Sequence, residues 1–142
     1  MAERILIDTG PIVAILCRED AQHEKCVDCL RSIDGELWTC WPVLSEAIFL
    51  LEGRADRVQQ LLSMLTLGAI RCMSLGSEMH VAPWLASFYE RFAEHAPDLA
   101  DSALVYLAER DQVVKIFTLD LRDFAVYRTS ENRALEIIPI AV

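Results

Sequence analysis

With 142 residues, a mean hydropathy of +0.27 and a formal net charge of −9, the chain reads as one domain with enough apolar matter for a buried core. The acidic balance excludes a generic nucleic-acid binder, which grips phosphates with a basic face, but leaves open a hydrolase whose acids hold a divalent cation. No apolar run approaches the roughly 18 residues needed to span a bilayer, and Glu3-Arg4 leads straight into an apolar strand rather than a leader, so a cytoplasmic protein without a membrane partner is expected.

The first predicted element is a strand, Arg4-Ile5-Leu6-Ile7-Asp8, whose three consecutive apolar residues suit a central position in a parallel sheet. Thr9-Gly10-Pro11 breaks it, and residues 12–16 open a helix with proline near its first turn. Asp8 thereby ends a central strand, where open α/β sheets place ligands and where a lone carboxylate is costly. A second helix is expected over 20–33 with Asp20 as N-cap, then a turn at Asp34-Gly35 and a strand over 36–40. Trp41-Pro42 starts a helix over 43–51 that carries Ser45 and Glu46. Residues 52–56 interrupt, and an amphipathic helix follows over 57–67, ended by Gly68.

A strand is expected over 69–73 and a helix over 78–93, in which Pro83 is either a kink or the true start. After a break at 94–98, residues 99–109 form a strongly apolar helix with Asp101 in its first turn. A strand over 113–117 leads into Thr118-Leu119-Asp120-Leu121-Arg122-Asp123-Phe124, a short helix or turn. Residues 136–140 close as a strand, at the edge because of Pro139. Strands alternating with helices imply parallel pairing through right-handed crossovers, hence a single α/β domain over 1–142.

The five cysteines are odd in number and read as reduced thiols. Cys26-Val27-Asp28-Cys29 matches C-x-x-C but lies in mid-helix without a second ligand pair, so buried helix-face cysteines explain it better than zinc or redox chemistry.

Four acids share one topological position. Asp8 and Asp120 follow strands, while Glu46 and Asp101 lie in the opening turns of helices; in a parallel sheet all four positions lie on one rim. Each has a simpler reading on its own: a dipole-favoured acid for Asp101, a helix cap for Asp120, a solvated face for Glu46. Together they form a set of hard oxygen donors suited to Mg²⁺ or Mn²⁺, which can activate water against a phosphodiester.

The stretches Ile5-Leu6-Ile7-Asp8-Thr9-Gly10-Pro11-Ile12-Val13-Ala14, Pro42-Val43-Leu44-Ser45-Glu46-Ala47, Asp98-Leu99-Ala100-Asp101-Ser102-Ala103-Leu104-Val105 and Thr118-Leu119-Asp120-Leu121-Arg122-Asp123-Phe124 resemble the PIN-domain ribonucleases, and within them the VapC-type toxins of toxin–antitoxin pairs. The resemblance implies a three-layer α/β/α sandwich around a mainly parallel sheet, a Mg²⁺ or Mn²⁺ cofactor, an RNA substrate cut endonucleolytically, a small basic antitoxin and a homodimer. It also implies that Asp8, Glu46 and Asp101 are core acids, that Asp120 is the fourth with Asp123 as the rival claimant, and that Asp98 is an outlying acid. Thr9 and Thr118 resemble hydroxyls that orient these carboxylates, and Ser45 is a candidate by adjacency. Arg122 is the basic residue nearest the acids in sequence. Arg4, Arg18, Lys25, Arg54, Arg57, Arg128 and Arg133 are further candidates for gripping phosphate, most of them equally explained as solvated faces.

Asp8-Thr9-Gly10 is also the tripeptide of aspartic proteases, but that chemistry needs two such loops from a duplicated or dimeric β-rich fold. Gly10 stands where an Asp-x-Asp phosphoryl-transfer enzyme needs its second acid. The remaining alternatives are a nuclease of RNA processing rather than a toxin, and a non-catalytic module that binds metal or a basic partner.

Overall fold

The structure is a computed structural model in which residues 2–138 are described. Five strands, β1 (Arg4–Ile7), β2 (Glu36–Thr39), β3 (Ile70–Cys72), β4 (Lys115–Phe117) and β5 (Glu136–Ile137), form one all-parallel sheet in the order β3-β2-β1-β4-β5. The helices are α1 (Thr9–Leu16), α2 (His23–Ser32), α3 (Trp41–Leu50), α4 (Ala55–Thr66), α5 (Glu78–Arg91), α6 (Leu99–Arg110) and α7 (Leu121–Phe124), with a short 3₁₀ turn at Ala93–His95. Helices cover both faces of the sheet in a PIN-like α/β/α sandwich, as expected.

β1 is central because Ile5, Leu6 and Ile7 are buried on both faces of the sheet, and only an interior strand can use such a run. It pairs with β2 through Leu6 opposite Trp38 and with β4 through Ile7 opposite Phe117. From β1 the chain builds outward through β2 to β3, then crosses back to lay β4 on the other side. The crevice between the carboxyl ends of β1 and β4 is therefore the topological switch point, where open parallel sheets bind ligands. Pairing continues one residue beyond the strands, since Asp8 N–H donates to Phe117 O at 3.0 Å.

Several boundaries differ from expectation for local reasons. α1 starts at Thr9 rather than residue 12, because Asp8 is its N-cap and accepts from Thr9 N–H; Pro11 falls within the first turn, where its missing N–H costs no bond. Asp20 does not cap α2. Its carboxylate accepts from Gln22 N–H at 2.8 Å in a preceding turn, and the helix begins at His23. α4 begins two residues early, at Ala55, while α3 begins at Trp41, where Trp41-Pro42 was expected to start it. α5 starts at Glu78, with Ser77 as its cap, and runs through Pro83. β5 is an edge strand as expected, while Pro139 and the rest of the expected 136–140 strand beyond Ile138 lie outside the described residues.

Cys26 and Cys29 are buried on α2, and burial raises the Cys26 thiol to about 11, which suits a packing role rather than a thiolate ligand. No helix among the described residues is long and apolar enough to cross a membrane.

Candidate active site

At the switch point the chain opens a cleft of about 420 Å³ whose polar lining includes Asp8, Glu46, Asp98, Asp101, Asp120 and Asp123. No Lys, Arg or His of the described residues lines it. Each acid arrives by a local device: hydrogen bonds through Thr9 and Thr118 link Asp8, Glu46, Asp120 and Asp123, and a separate one joins Asp98 to Asp101.

Asp8 is 6% exposed, held where β1 becomes α1. Its Oδ1 accepts from Thr9 N–H and its Oδ2 from Thr118 Oγ1, both at 2.8 Å. The Thr118 hydroxyl, fully buried at the end of β4, accepts in turn from Asp120 N–H at 3.0 Å. One threonine thus joins the end of the central strand to the start of α7. Asp120 Oδ1 accepts from Asp123 N–H at 3.0 Å, so it caps α7 while facing the cleft. Asp120 is thus at once the cap of α7 and a lining residue of the cleft.

Thr9 does the corresponding work on the other side. Its hydroxyl donates to Glu46 Oε2 at 3.3 Å and lies 3.4 Å from Val43 O, linking α1 to α3. Asp98 Oδ1 caps α6 by accepting from Asp101 N–H at 2.8 Å. The chain reaches that cap through Ala96, which lines the cleft with a left-handed φ of 45°. No sequence pattern announces a left-handed alanine, and this contributor was not foreseen. Gly10, Leu50 and Leu119 complete the cleft. A β-carbon on Gly10 would lie 3.2 Å from Leu119 Cδ1, so the glycine lets the two walls close together.

The electrostatics follow from this crowding. Burial raises the Asp8 carboxyl to about 6 despite the donors Thr118 and Thr9, with the Glu46 and Asp98 charges adding to the rise. Asp101 is pushed up to about 8, by burial first and then by the charges of Asp8, Asp98, Asp120 and Glu46. Glu46 and Asp120 are raised too, again chiefly by burial, with Asp98 adding for Glu46 and Asp123 for Asp120. Carboxylate oxygens of Asp101, Asp120 and Asp123 come within 4.8 Å of one another, close enough to share one cation. A hard divalent cation fits this donor set: every ligand atom offered is a carboxylate oxygen, and no basic side chain of the described residues lines the cleft to offset the charge.

The other expected residues are placed elsewhere. Ser45 lies in a neighbouring groove with Phe49 and Leu99, outside the acidic cleft. Arg122 is exposed on α7 and does not line the cleft. Other candidate basic groups serve the scaffold. Arg133 donates to Val113 O and Ala108 O, Arg128 to Ala125 O and Tyr127 O, and Arg54 and Arg57 pair with Glu19.

Comparison with known proteins agrees with this geometry. No curated protein sequence matches the chain. Among solved structures, it is similar to VapC20 of Mycobacterium tuberculosis, described as a sarcin-ricin loop cleaving toxin, with a TM-score of 0.74 at 19% identity over 95% of this chain and 99% of that one. It is also similar to VapBC2 of Rickettsia felis, determined bound to a DNA fragment from its promoter, with a TM-score of 0.63 at 10% identity over 94% and 98%. At these identities the likeness establishes the shared fold. The family model described as PIN domain matches residues 5–130, a span that contains all six cleft acids, β2, β3, β4 and all of β1 but Arg4. The chain belongs to the PIN domain family.

Proposed function

We propose that this protein is a Mg²⁺- or Mn²⁺-dependent endoribonuclease and the toxin of a toxin–antitoxin pair. The observation that carries the reading is a cleft at the sheet's switch point lined by six carboxylic acids and, among the described residues, no basic side chain, with two of the carboxyls raised to about 6 and about 8. Acids pressed together at such electrostatic cost are those of a site completed by a divalent cation.

Asp8, Glu46, Asp101 and Asp120 are the residues assigned to hold the metal, with Asp123 beside Asp120 as a further donor. When bound, Mg²⁺ or Mn²⁺ supplies an acidified water and neutralises charge at the phosphodiester. The chain's own groups do the rest. Thr118 and Thr9 N–H fix both oxygens of Asp8, so that this carboxylate is oriented before substrate arrives. Thr9 orients Glu46, and the α6 and α7 caps hold Asp98 and Asp120 in place.

RNA must be gripped outside the acidic cleft, since no basic side chain of the described residues lines it. The absence of histidine from the lining is consistent with a water acidified by metal rather than by imidazole. The resemblance to VapC20 and VapBC2 supports an RNA substrate and an antitoxin partner. Exposed apolar side chains at Phe49, Leu50 and Leu99 support a subunit or antitoxin contact beside the cleft. One domain over 1–142 acting as a homodimer completes the reading.

The test uses purified protein, Mg²⁺ or Mn²⁺, and structured RNAs that include a sarcin-ricin loop oligonucleotide. Cutting that is abolished by a chelator and by Asp8→Asn is expected. Absence of cutting in either metal refutes the enzyme reading, and metal binding without cutting identifies a binding module instead. A toxin further requires growth arrest on expression, relieved by the product of an adjacent gene; a protein that cuts RNA without arrest is a processing nuclease.

A further inference from the structure

Glu46 and Asp98 line not only the acidic cleft but also a second groove of about 430 Å³ beside it, within the roughly 300–1,000 Å³ range of small-molecule sites. Beyond these two shared acids the groove is apolar except for Ser45, with Phe49 and Leu99 as its largest walls, and no basic side chain of the described residues lines it.

Phe49 is the feature that calls for an explanation. α3 buries Val43, Leu44 and Ala47 and packs Ile48 against the core, yet it leaves Phe49 78% exposed, the most exposed aromatic ring among the described residues. Alanine at this position would serve the helix better. Phe49 stands three residues after Glu46 and Leu50 four, the spacing that places side chains on one helical face. Leu50 lines the acidic cleft, Phe49 lines the groove, and Glu46 lines both. One face of α3 thus presents a cleft acid and an uncovered aromatic ring to two adjoining cavities.

That placement answers a need created by the ribonuclease reading. A phosphodiester held at the acids through a divalent cation has its neighbouring nucleoside at the border formed by Glu46 and Asp98. The acids repel further phosphates, and no basic side chain of the described residues lines either cavity, so the grip there must fall on an uncharged part of the RNA. A nucleobase has the matching chemistry, an apolar face that stacks on aromatic rings and a polar edge. Ser45, exposed in the same groove, offers a hydroxyl that donates to or accepts from such an edge.

We propose, on the basis of the ribonuclease reading, that this groove is a nucleobase subsite: the base of a nucleotide flanking the scissile phosphodiester stacks on Phe49, with Ser45 at its edge. A base paired within a helix cannot reach the ring, so the subsite directs cleavage to unpaired, splayed-out nucleotides of loops.

The test is a kinetic cycle on an RNA whose cut site has been mapped. With Mn²⁺, kcat/KM is measured for wild type, Phe49→Ala and Phe49→Trp, on the intact RNA and on two copies that each lack the base on one side of the cut. Phe49→Ala is expected to keep the wild-type melting temperature and Mn²⁺ affinity, because the ring is exposed and is no metal donor, while kcat/KM on intact RNA falls about tenfold. Removing one of the two bases is expected to lower wild-type kcat/KM by a similar factor and to abolish the difference between wild type and Phe49→Ala. Phe49→Trp is expected to match or exceed the wild type. The loss in Phe49→Ala is expected to be the same at low and high salt, since stacking neutralises no phosphate. Wild-type kcat/KM in Phe49→Ala overturns the proposal, and so does a loss that persists on both base-free RNAs. Two such failures name another occupant. A dimer that Phe49→Ala converts to a monomer, with a loss indifferent to the bases, assigns the groove to a second copy of the chain; full cutting by Phe49→Ala that the adjacent gene product no longer restrains assigns it to an antitoxin. A wild type that cuts no RNA refutes the ribonuclease reading itself, a different result from unimpaired cutting by Phe49→Ala.

Discussion

Asp8→Asn removes a charge from a side chain that is 6% exposed and preserves its size, so the electrostatic cost of the cleft can be measured at one position. The folded carboxyl titrates at about 6 against 3.8 for the ordinary group, so the folded state holds this proton more tightly. Below the lower value Asp8 costs nothing; the penalty accumulates as pH rises between the two values and stays in full above the higher one. At roughly 1.4 kcal/mol for each pH unit of separation, the full penalty is about 3 kcal/mol at pH 8 without metal. Asparagine returns part of that gain. Both oxygens of Asp8 accept, from Thr9 N–H and from Thr118 Oγ1, so an amide NH₂ must either meet Thr9 N–H donor to donor or turn the Thr118 hydroxyl proton out of its bond. Setting that loss at about 1–2 kcal/mol leaves Asp8→Asn more stable than wild type by about 1–2 kcal/mol at pH 8, or roughly 3–8 °C in melting temperature. At pH 4 most of the penalty is absent, only the lost hydrogen bond remains, and the order reverses. Thermal unfolding of both proteins in chelator at the two pH values is the assay. A wild-type-minus-variant difference that is the same at pH 4 and pH 8 would show that Asp8 carries no burial penalty, and the electrostatic reasoning for the cleft would fall with it.

Metal should act on the same balance. Mn²⁺ added at pH 8 is expected to raise the melting temperature of the wild type more than that of Asp8→Asn, and equal shifts would place the ion elsewhere. Thr118→Val removes the hydroxyl that serves both Asp8 and Asp120 and is expected to cost about 2 kcal/mol by chemical denaturation, with a larger proportional loss of RNA cleavage; a variant of wild-type stability would mean that the two bonds are not formed. Asp120→Asn and Asp123→Asn separate the two claimants for the fourth acid. Asparagine at 120 keeps an acceptor for the α7 cap, so loss of cleavage there without loss of helix assigns the role to Asp120, and the converse result assigns it to Asp123. Gly35→Ala tests the sheet, because a β-carbon there would lie 2.6 Å from Glu3 O, the acceptor for Glu36 N–H; a destabilisation of about 2 kcal/mol is expected in denaturant, and a neutral change would refute that close approach.

The order of strands and helices was legible in the sequence because burial forces its own periodicity. Three apolar residues ahead of Asp8 require an interior parallel strand, and apolar faces at helical spacing require helices to cover it. The convergence of Asp8, Glu46, Asp101 and Asp120 was legible for the same reason, since strand ends and helix starts share one rim in any parallel sheet. Boundaries that depend on a single polar contact were less so. Asp8 captures Thr9 N–H and pulls α1 back to residue 9, whereas Asp20 spends its carboxylate on Gln22 and leaves α2 to start at His23.

Only the tertiary structure decides what each acid costs and what supports it. A carboxylate's pKa depends on burial and on neighbours distant in sequence, so the values of about 6 for Asp8 and about 8 for Asp101 appear only when β1, β4, α3 and α6 meet. The link through Thr118, 110 residues from Asp8, and the left-handed Ala96 that leads into Asp98 have the same origin. The sequence by itself determined that acids would gather at the end of the first strand, because hydrophobic patterning sets topology. Their geometry and electrostatic cost were left to packing, because hydrogen bonds and desolvation act between groups that only the folded chain brings together.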